Sequence, residues 1–155
     1  MDPEEDLRAK YKVAVMVWIS MVAALFFYGV IAQLSFSYVG PHSADIGLLW
    51  KILAIVSIFE LVIANVVKNF ILNQKCLDSG EPERRMRINR LFTASIASLA
   101  CCEAIALYGF ILALLSGKIL YYIPFALGAF GGLFFYRPQL EFWRKHVEQS
   151  AQNSV

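Results

Sequence analysis

The stretch from Leu91 to Gly117, LFTASIASLACCEAIALYGFILALLSG, holds a single charged residue, Glu103. A hydrocarbon core of roughly 30 Å needs about 20 helical residues to cross it, and this stretch exceeds that. Backbone polar groups in lipid must be satisfied internally, and the turn signals that a β-barrel would need are absent, so the stretch reads as a membrane-spanning helix. Three more such stretches lie around it. Val13 to Pro41 is free of charge, with its helical part predicted to end near Leu34, before Ser35, Ser37, Gly40 and Pro41. Ile46 to Val67 forms a second span, interrupted by Lys51 and Glu60, and Ile119 to Tyr136 forms the fourth. The predicted fold is all-α, a four-helix transmembrane bundle.

Composition agrees. Of the 155 residues 59% are hydrophobic and 17% charged, against about 25% charged in a soluble domain, and the mean hydropathy is +0.58. A formal net charge of +2 gives no basic footprint for nucleic acid. The expected surroundings are a lipid bilayer and other membrane subunits or further copies of the chain. Three cysteines, two of them the adjacent Cys101 and Cys102, form neither a disulfide framework nor a CxxC motif. His42 and His146 stand apart from other ligand residues, so no metal or cofactor is expected. The first span is too long, and its Asp2 to Asp6 leader too acidic, for a signal peptide, so it is expected to be retained.

Charge fixes the orientation. Arg8, Lys10 and Lys12 precede span one; Lys68, Lys75, Arg84, Arg85, Arg87 and Arg90 lie between spans two and three; Arg137, Arg144 and Lys145 follow span four. Twelve of the fourteen Lys and Arg residues thus share one side, leaving Lys51 and Lys118 for the other. The positive-inside rule places both termini and the central loop in the cytoplasm, with a bacterial-type plasma membrane as the expected location. After Pro138, the run Gln139 to Val147 mixes aromatics and bases as an interfacial helix does.

The chain also matches itself. Asp2-Pro3-Glu4-Glu5 resembles Glu81-Pro82-Glu83-Arg84, and Ala24 to Leu34 resembles Ala104 to Leu114, with Tyr28-Gly29 on Tyr108-Gly109. A duplicated helical hairpin accounts for this, its copies sharing one orientation. The predicted division is residues 1–75 for copy one, 76–137 for copy two and 138–155 for a cytoplasmic interfacial tail. Glu103 corresponds to Ala23, so only one copy keeps the acid. A small-residue face, Ala126, Gly128, Ala129, Gly131 and Gly132, would permit close helix approach in span four.

Glu103 lies about 20 Å along the helix from both Arg90 and Lys118, near the midplane. An ionised carboxylate there is costly, so an unpaired acid is expected to stay neutral and to exchange a proton. Two readings stay open: a proton-binding site, or a neutral hydrogen-bonding staple between helices. Glu60, about 12 Å from Lys68, is expected some 8 Å nearer the cytoplasm. It is a candidate accessory step or a group paired locally with Asn65. Tyr108 is a second accessory candidate, with packing as its plainer role, and Cys101 and Cys102 are expected to pack.

Glu103 to Leu115, EAIALYGFILALL, resembles the ion-carrying helix of the proteolipid (c) subunits of rotary ATPases. In the vacuolar type that helix carries a mid-membrane Glu, then Tyr-Gly five and six residues later, then a branched apolar run. Double-hairpin proteolipids also keep a Tyr-Gly helix without its acid, as Met21 to Leu34 does here, and Pro82-Glu83 resembles the polar loop before the helix. The resemblance is distant and permuted, since the family's Gly-rich helix comes first in each hairpin and the Glu-type helix comes first here. It implies proton binding at Glu103, and protons over sodium because Ala104 stands where sodium-binding relatives offer a hydroxyl. The expected function is therefore that of an integral membrane proton-carrying subunit. The alternative is a four-helix structural or assembly module of a larger membrane complex with no transport of its own. Nothing supports a free-standing enzyme, since no nucleophile and base pair, metal cluster or phosphate loop is present; at most the chain is a membrane subunit of an ATPase-type complex.

Overall fold

In the computed structural model, residues 3–38, 46–73 and 81–152 are described, and they form helices with no strand. In chain order these are α1 (Pro3–Tyr38), α2 (Gly47–Asn73), α3 (Glu81–Ser116), a short 3-10 turn (Ile119–Tyr121) that runs into α4 (Tyr122–Phe135), and α5 (Leu140–Gln152). Three helices, α1 to α3, are long and apolar enough to cross a membrane, while the apolar stretch Ile119–Phe135 is shorter. The connection that holds His42 and the boundary between residues 75 and 76 lie outside the described residues.

Two helix limits depart from expectation. α1 continues past Leu34 to Tyr38; Ser35 turns its hydroxyl back onto the Ile31 carbonyl at 2.8 Å, so its polar group is satisfied without ending the helix. Pro82-Glu83, read as loop, lies in the first turn of α3. Proline is tolerated there because the N–H it lacks would have no intrahelical partner. The end of α3 is sharper: Gly117 adopts φ 66°, the left-handed conformation that suits glycine beyond a helix terminus, and its N–H closes on the Ala113 carbonyl at 2.9 Å.

α3 packs against α1, α2 and α4, whereas α1 and α2, consecutive in the chain, scarcely touch. A duplicated hairpin would pair α1 with α2, so this packing gives no support to a first hairpin over residues 1–75. Small and medium side chains on α3 explain its place. Ala94, Ser98, Cys102, Ala106 and Ala113 are all buried and let three helices approach. The directions follow from individual contacts. Ser98 meets the Ala64 carbonyl and Tyr108 reaches Glu60, so α2 is antiparallel to α3; Lys10 meets Asn89 and Tyr28 reaches Glu103, so α1 is parallel to it.

α4 packs along α3, with α1 on one side and α2 touching it on the other. A Cβ on Gly109 would stand 2.5 Å from the Phe125 Cβ, and one on Gly132 would stand 2.6 Å from the Cys102 Sγ. The two glycines therefore set the approach of α3 and α4. The Tyr122 hydroxyl donates to the Leu25 carbonyl, and the Trp18 ring N–H donates to the Leu133 carbonyl at 2.8 Å, which fastens both ends of α4 to α1. The predicted small-residue face is divided: Ala129 and Gly132 are buried, but Gly128 and Gly131 have open space where a side chain would stand.

α5 is the predicted tail helix, and it does more than lie beside the bundle. Trp143 is 1% exposed and packs with Leu7, Ala14, Ile88 and Leu91, its ring edge-on to Tyr11. Elsewhere large apolar groups cover the outside, among them Phe26 at 68% and Phe135 at 74% exposure. Such a continuous apolar surface suits lipid rather than water.

Candidate functional site

Glu103 and Glu60 flank α3 on different sides, and each accepts a hydrogen bond from a tyrosine on another helix. The Tyr28 hydroxyl of α1 donates to Glu103 Oε1 at 3.0 Å. The Tyr108 hydroxyl of α3 donates to Glu60 Oε1 on α2 at 3.1 Å. Tyr108 is therefore a hydrogen-bonding partner of Glu60, beyond its plainer role of packing, and the partner found for Glu60 is not Asn65. Glu60 Oε2 is buried and has no hydrogen-bond partner among the described residues.

The two carboxyls also share a level. Because Ser98 on α3 meets Ala64 on the antiparallel α2, one turn along each helix brings Glu60 opposite Cys102, next to Glu103. The same register sets Arg90 opposite Leu72, so Lys68 lies one turn, about 5–6 Å, inside the level of Arg90. The expected 8 Å offset between the acids assumed that Lys68 and Arg90 marked one boundary. They do not, and the offset vanishes.

Around α3, the residues Met86, Thr93, Ala100, Leu107 and Leu114 are exposed. Their seven-residue spacing makes one stripe along the open side of the helix, between α1 and α2. Glu103 follows Ala100 by three residues and precedes Leu107 by four, so it borders this stripe on the side of α1 and is half-exposed. Tyr108 borders it on the side of α2. The Tyr28 ring is held by Phe110, with centroids 5.4 Å apart, which positions its hydroxyl. No Lys or Arg forms an ion pair with either acid among the described residues.

Cys102 is fully buried against Gly132 and Cys101 is half-buried, both as free thiols. Among the described residues no group of three or more His, Cys, Asp or Glu is placed to hold a metal. The signal for the Tyr28–Glu103 pair was present in the sequence as the Tyr-Gly repeat, but the repeat gave no indication that each tyrosine would reach across to an acid of the other half.

The bases collect at one end. Arg144 of α5 meets Glu4 of α1 at 3.3 Å, Lys10 of α1 meets Asn89 of α3, and the Lys68 ammonium of α2 lies over the Tyr136 ring after α4 at 5.3 Å. Lys51 and Lys118 are exposed at the opposite end. Comparison of the chain with protein-family models, with curated proteins and with solved structures finds no match.

Proposed function

We propose that the chain is an integral membrane protein that crosses the bilayer four times, with both termini cytoplasmic, and carries a proton on Glu103 as a proteolipid-like subunit of a larger assembly. The observation that carries this reading is a carboxyl far from either charged end, hydrogen-bonded by the neutral Tyr28 hydroxyl and bordering the exposed stripe of α3. The Tyr28 hydroxyl orients the carboxyl and brings no permanent positive charge to it. The stripe gives a partner helix with a basic residue, and the aqueous half-channel it supplies, a way to reach Glu103. Between visits the neutral acid remains in lipid.

The fourth crossing rests on length. The 14 residues of α4 and the 3 of the preceding turn together rise about 27 Å, close to the roughly 30 Å of a hydrocarbon core. A duplication is supported by α1 and α3, which run parallel with Tyr28-Gly29 and Tyr108-Gly109 on neighbouring helices. Each glycine faces the N-terminal part of α4, Gly29 at Tyr122 and Gly109 at Phe125.

The second reading is a structural module, favoured by the two Tyr–Glu bonds, which join α1 to α3 and α3 to α2. Glu103→Gln separates the two. It removes the titratable proton but keeps size and hydrogen bonding, so the carrier reading expects proton flux in vesicles with the partner to stop while folding persists. Normal flux through that variant would establish the staple instead. A hydrophobic carbodiimide, which needs a protonated carboxyl, should label Glu103, and a ring would run in mild detergent at many times 17.5 kDa. Tags on the two termini should both report cytoplasm, and their appearance on opposite sides would remove the four-crossing arrangement.

A further inference from the structure

We propose that the cavity beneath α5 binds a phosphate-type oxyanion, carried by a lipid headgroup or free in the cytoplasm. The cavity measures about 120 Å³ and is lined in part by Lys68, Ser95, Ser98, Tyr136, Arg137 and Gln139, with no Asp or Glu in its wall. It opens where the C-terminal end of α2, the first half of α3 and the junction of α4 with α5 meet, at the end of the bundle where the bases collect.

Lys68 is the centre of the argument. Its register places it a turn inside the level of Arg90, and it is half-buried, yet it forms no ion pair or hydrogen bond with any described residue. Two aromatic rings hold its ammonium instead, Tyr136 at 5.3 Å and Phe142 at 5.5 Å to the centroids. Such contacts position a cation but compensate little of the hydration it has lost. A counter-anion in the cavity would complete the site. Arg137 adds a second positive charge to the wall, and the Ser95 and Tyr136 hydroxyls, which make no hydrogen bond to the described residues, are free to donate to oxyanion oxygens. The volume lies well below the ~300 Å³ at which drug-sized ligand sites begin, so it suits one headgroup-sized anion and excludes a nucleotide.

The test uses the full chain in neutral detergent, titrated with phosphatidylglycerol, with phosphatidylcholine and with inorganic phosphate, reading the thermal midpoint and the apparent Kd. Phosphatidylglycerol is expected to bind about tenfold more tightly than phosphatidylcholine. Lys68→Gln should lose that preference and Lys68→Arg should keep it. Arg144→Gln is the control, since this exposed base at the same end pairs with Glu4 and is absent from the cavity wall; its affinity should stay within about twofold. Saturation by inorganic phosphate at the same site, seen as competition with phosphatidylglycerol, identifies the free anion as ligand, and absence of competition identifies the lipid. Equal losses in Lys68→Gln and Arg144→Gln would mean diffuse surface attraction and overturn the proposal, as would an unchanged Kd in Lys68→Gln. If Lys68→Gln does not fold, Ser95→Ala with Gln139→Ala replaces it, and full retention of binding in that pair overturns the proposal equally.

Discussion

The Tyr28 hydroxyl on α1 donates to Glu103 on α3 across 3.0 Å, and the tyrosine that matches Tyr28 in the internal repeat, Tyr108, donates in turn to Glu60 on α2. The central helix is thus both acceptor and donor, and these two Tyr–Glu bonds lie one to each flank. Replacing Tyr28 by Phe removes the described donor to Glu103 and little else. The expected cost is about 0.5–1 kcal/mol, the range for hydrogen bonds between membrane helices, read as a lower unfolding midpoint in bicelles. Carbodiimide labelling of Glu103 should persist in Tyr28→Phe and proceed faster, because the carboxyl is no longer engaged.

The second pair behaves differently, since Glu60 Oε2 is already buried without a partner among the described residues. Tyr108→Phe leaves the whole carboxyl without a described hydrogen bond, at a cost of about 1–3 kcal/mol. Changing both residues, Tyr108→Phe with Glu60→Met, removes the unsatisfied group itself. That double variant should be more stable than Tyr108→Phe alone, and a double-mutant cycle of unfolding free energies checks it.

Glycines in the bundle should divide into two classes. Gly109→Ala places a methyl 2.5 Å from the Phe125 Cβ, and Gly132→Ala places one 2.6 Å from the Cys102 Sγ, whereas Gly128→Ala and Gly131→Ala meet nothing within 4 Å. The first two are expected to cost about 1–3 kcal/mol through forced separation of α3 and α4. The other two should be neutral or slightly stabilising, because alanine favours a helix over glycine. Thermal unfolding of the four variants in detergent distinguishes the classes.

Trp143 is the anchor of α5, with 1% of its surface exposed. Trp143→Ala empties the space between Leu7, Ile88 and Leu91, at a cost of about 3–5 kcal/mol. Proteolysis should then cut within α5 while α1 to α4 stay intact, whereas Phe142→Ala, which alters a partly exposed neighbour, should leave α5 protected.

The long helices were legible because charge marks their ends. Glu103 is the single charge between Arg90 and Lys118, and a helix satisfies such a backbone in lipid where a barrel's turn signals are absent. The pairing was not legible. The internal repeat reads as a hairpin of α1 with α2, whereas small buried side chains on α3, among them Ala94, Ser98 and Ala106, let α1, α2 and α4 all pack against it. The level of Glu60 was hidden for a related reason: in sequence Lys68 reads as a boundary charge, whereas its ammonium lies a turn inside the level of Arg90, over Tyr136 and Phe142. The tail was read as a headgroup anchor because amphipathic periodicity is identical whether the apolar face meets lipid or protein. Only packing reveals that Trp143 faces α1 and α3.

The position of α3 at the centre also separates the order of synthesis from the order of packing. α1 and α2 precede α3 in the chain and scarcely touch each other, so neither has the other as a packing partner before α3 is present. The Glu60 carboxyl has the Tyr108 hydroxyl to accept from only once α3 packs against α2. A chain ending at Asn73 would lack the Tyr108 hydroxyl that Glu60 accepts from, while one extending past Ser116 holds the helix against which both α1 and α2 pack. Packing of α3 is the step that joins the helices into one body, and the Tyr108–Glu60 bond can form only with that step.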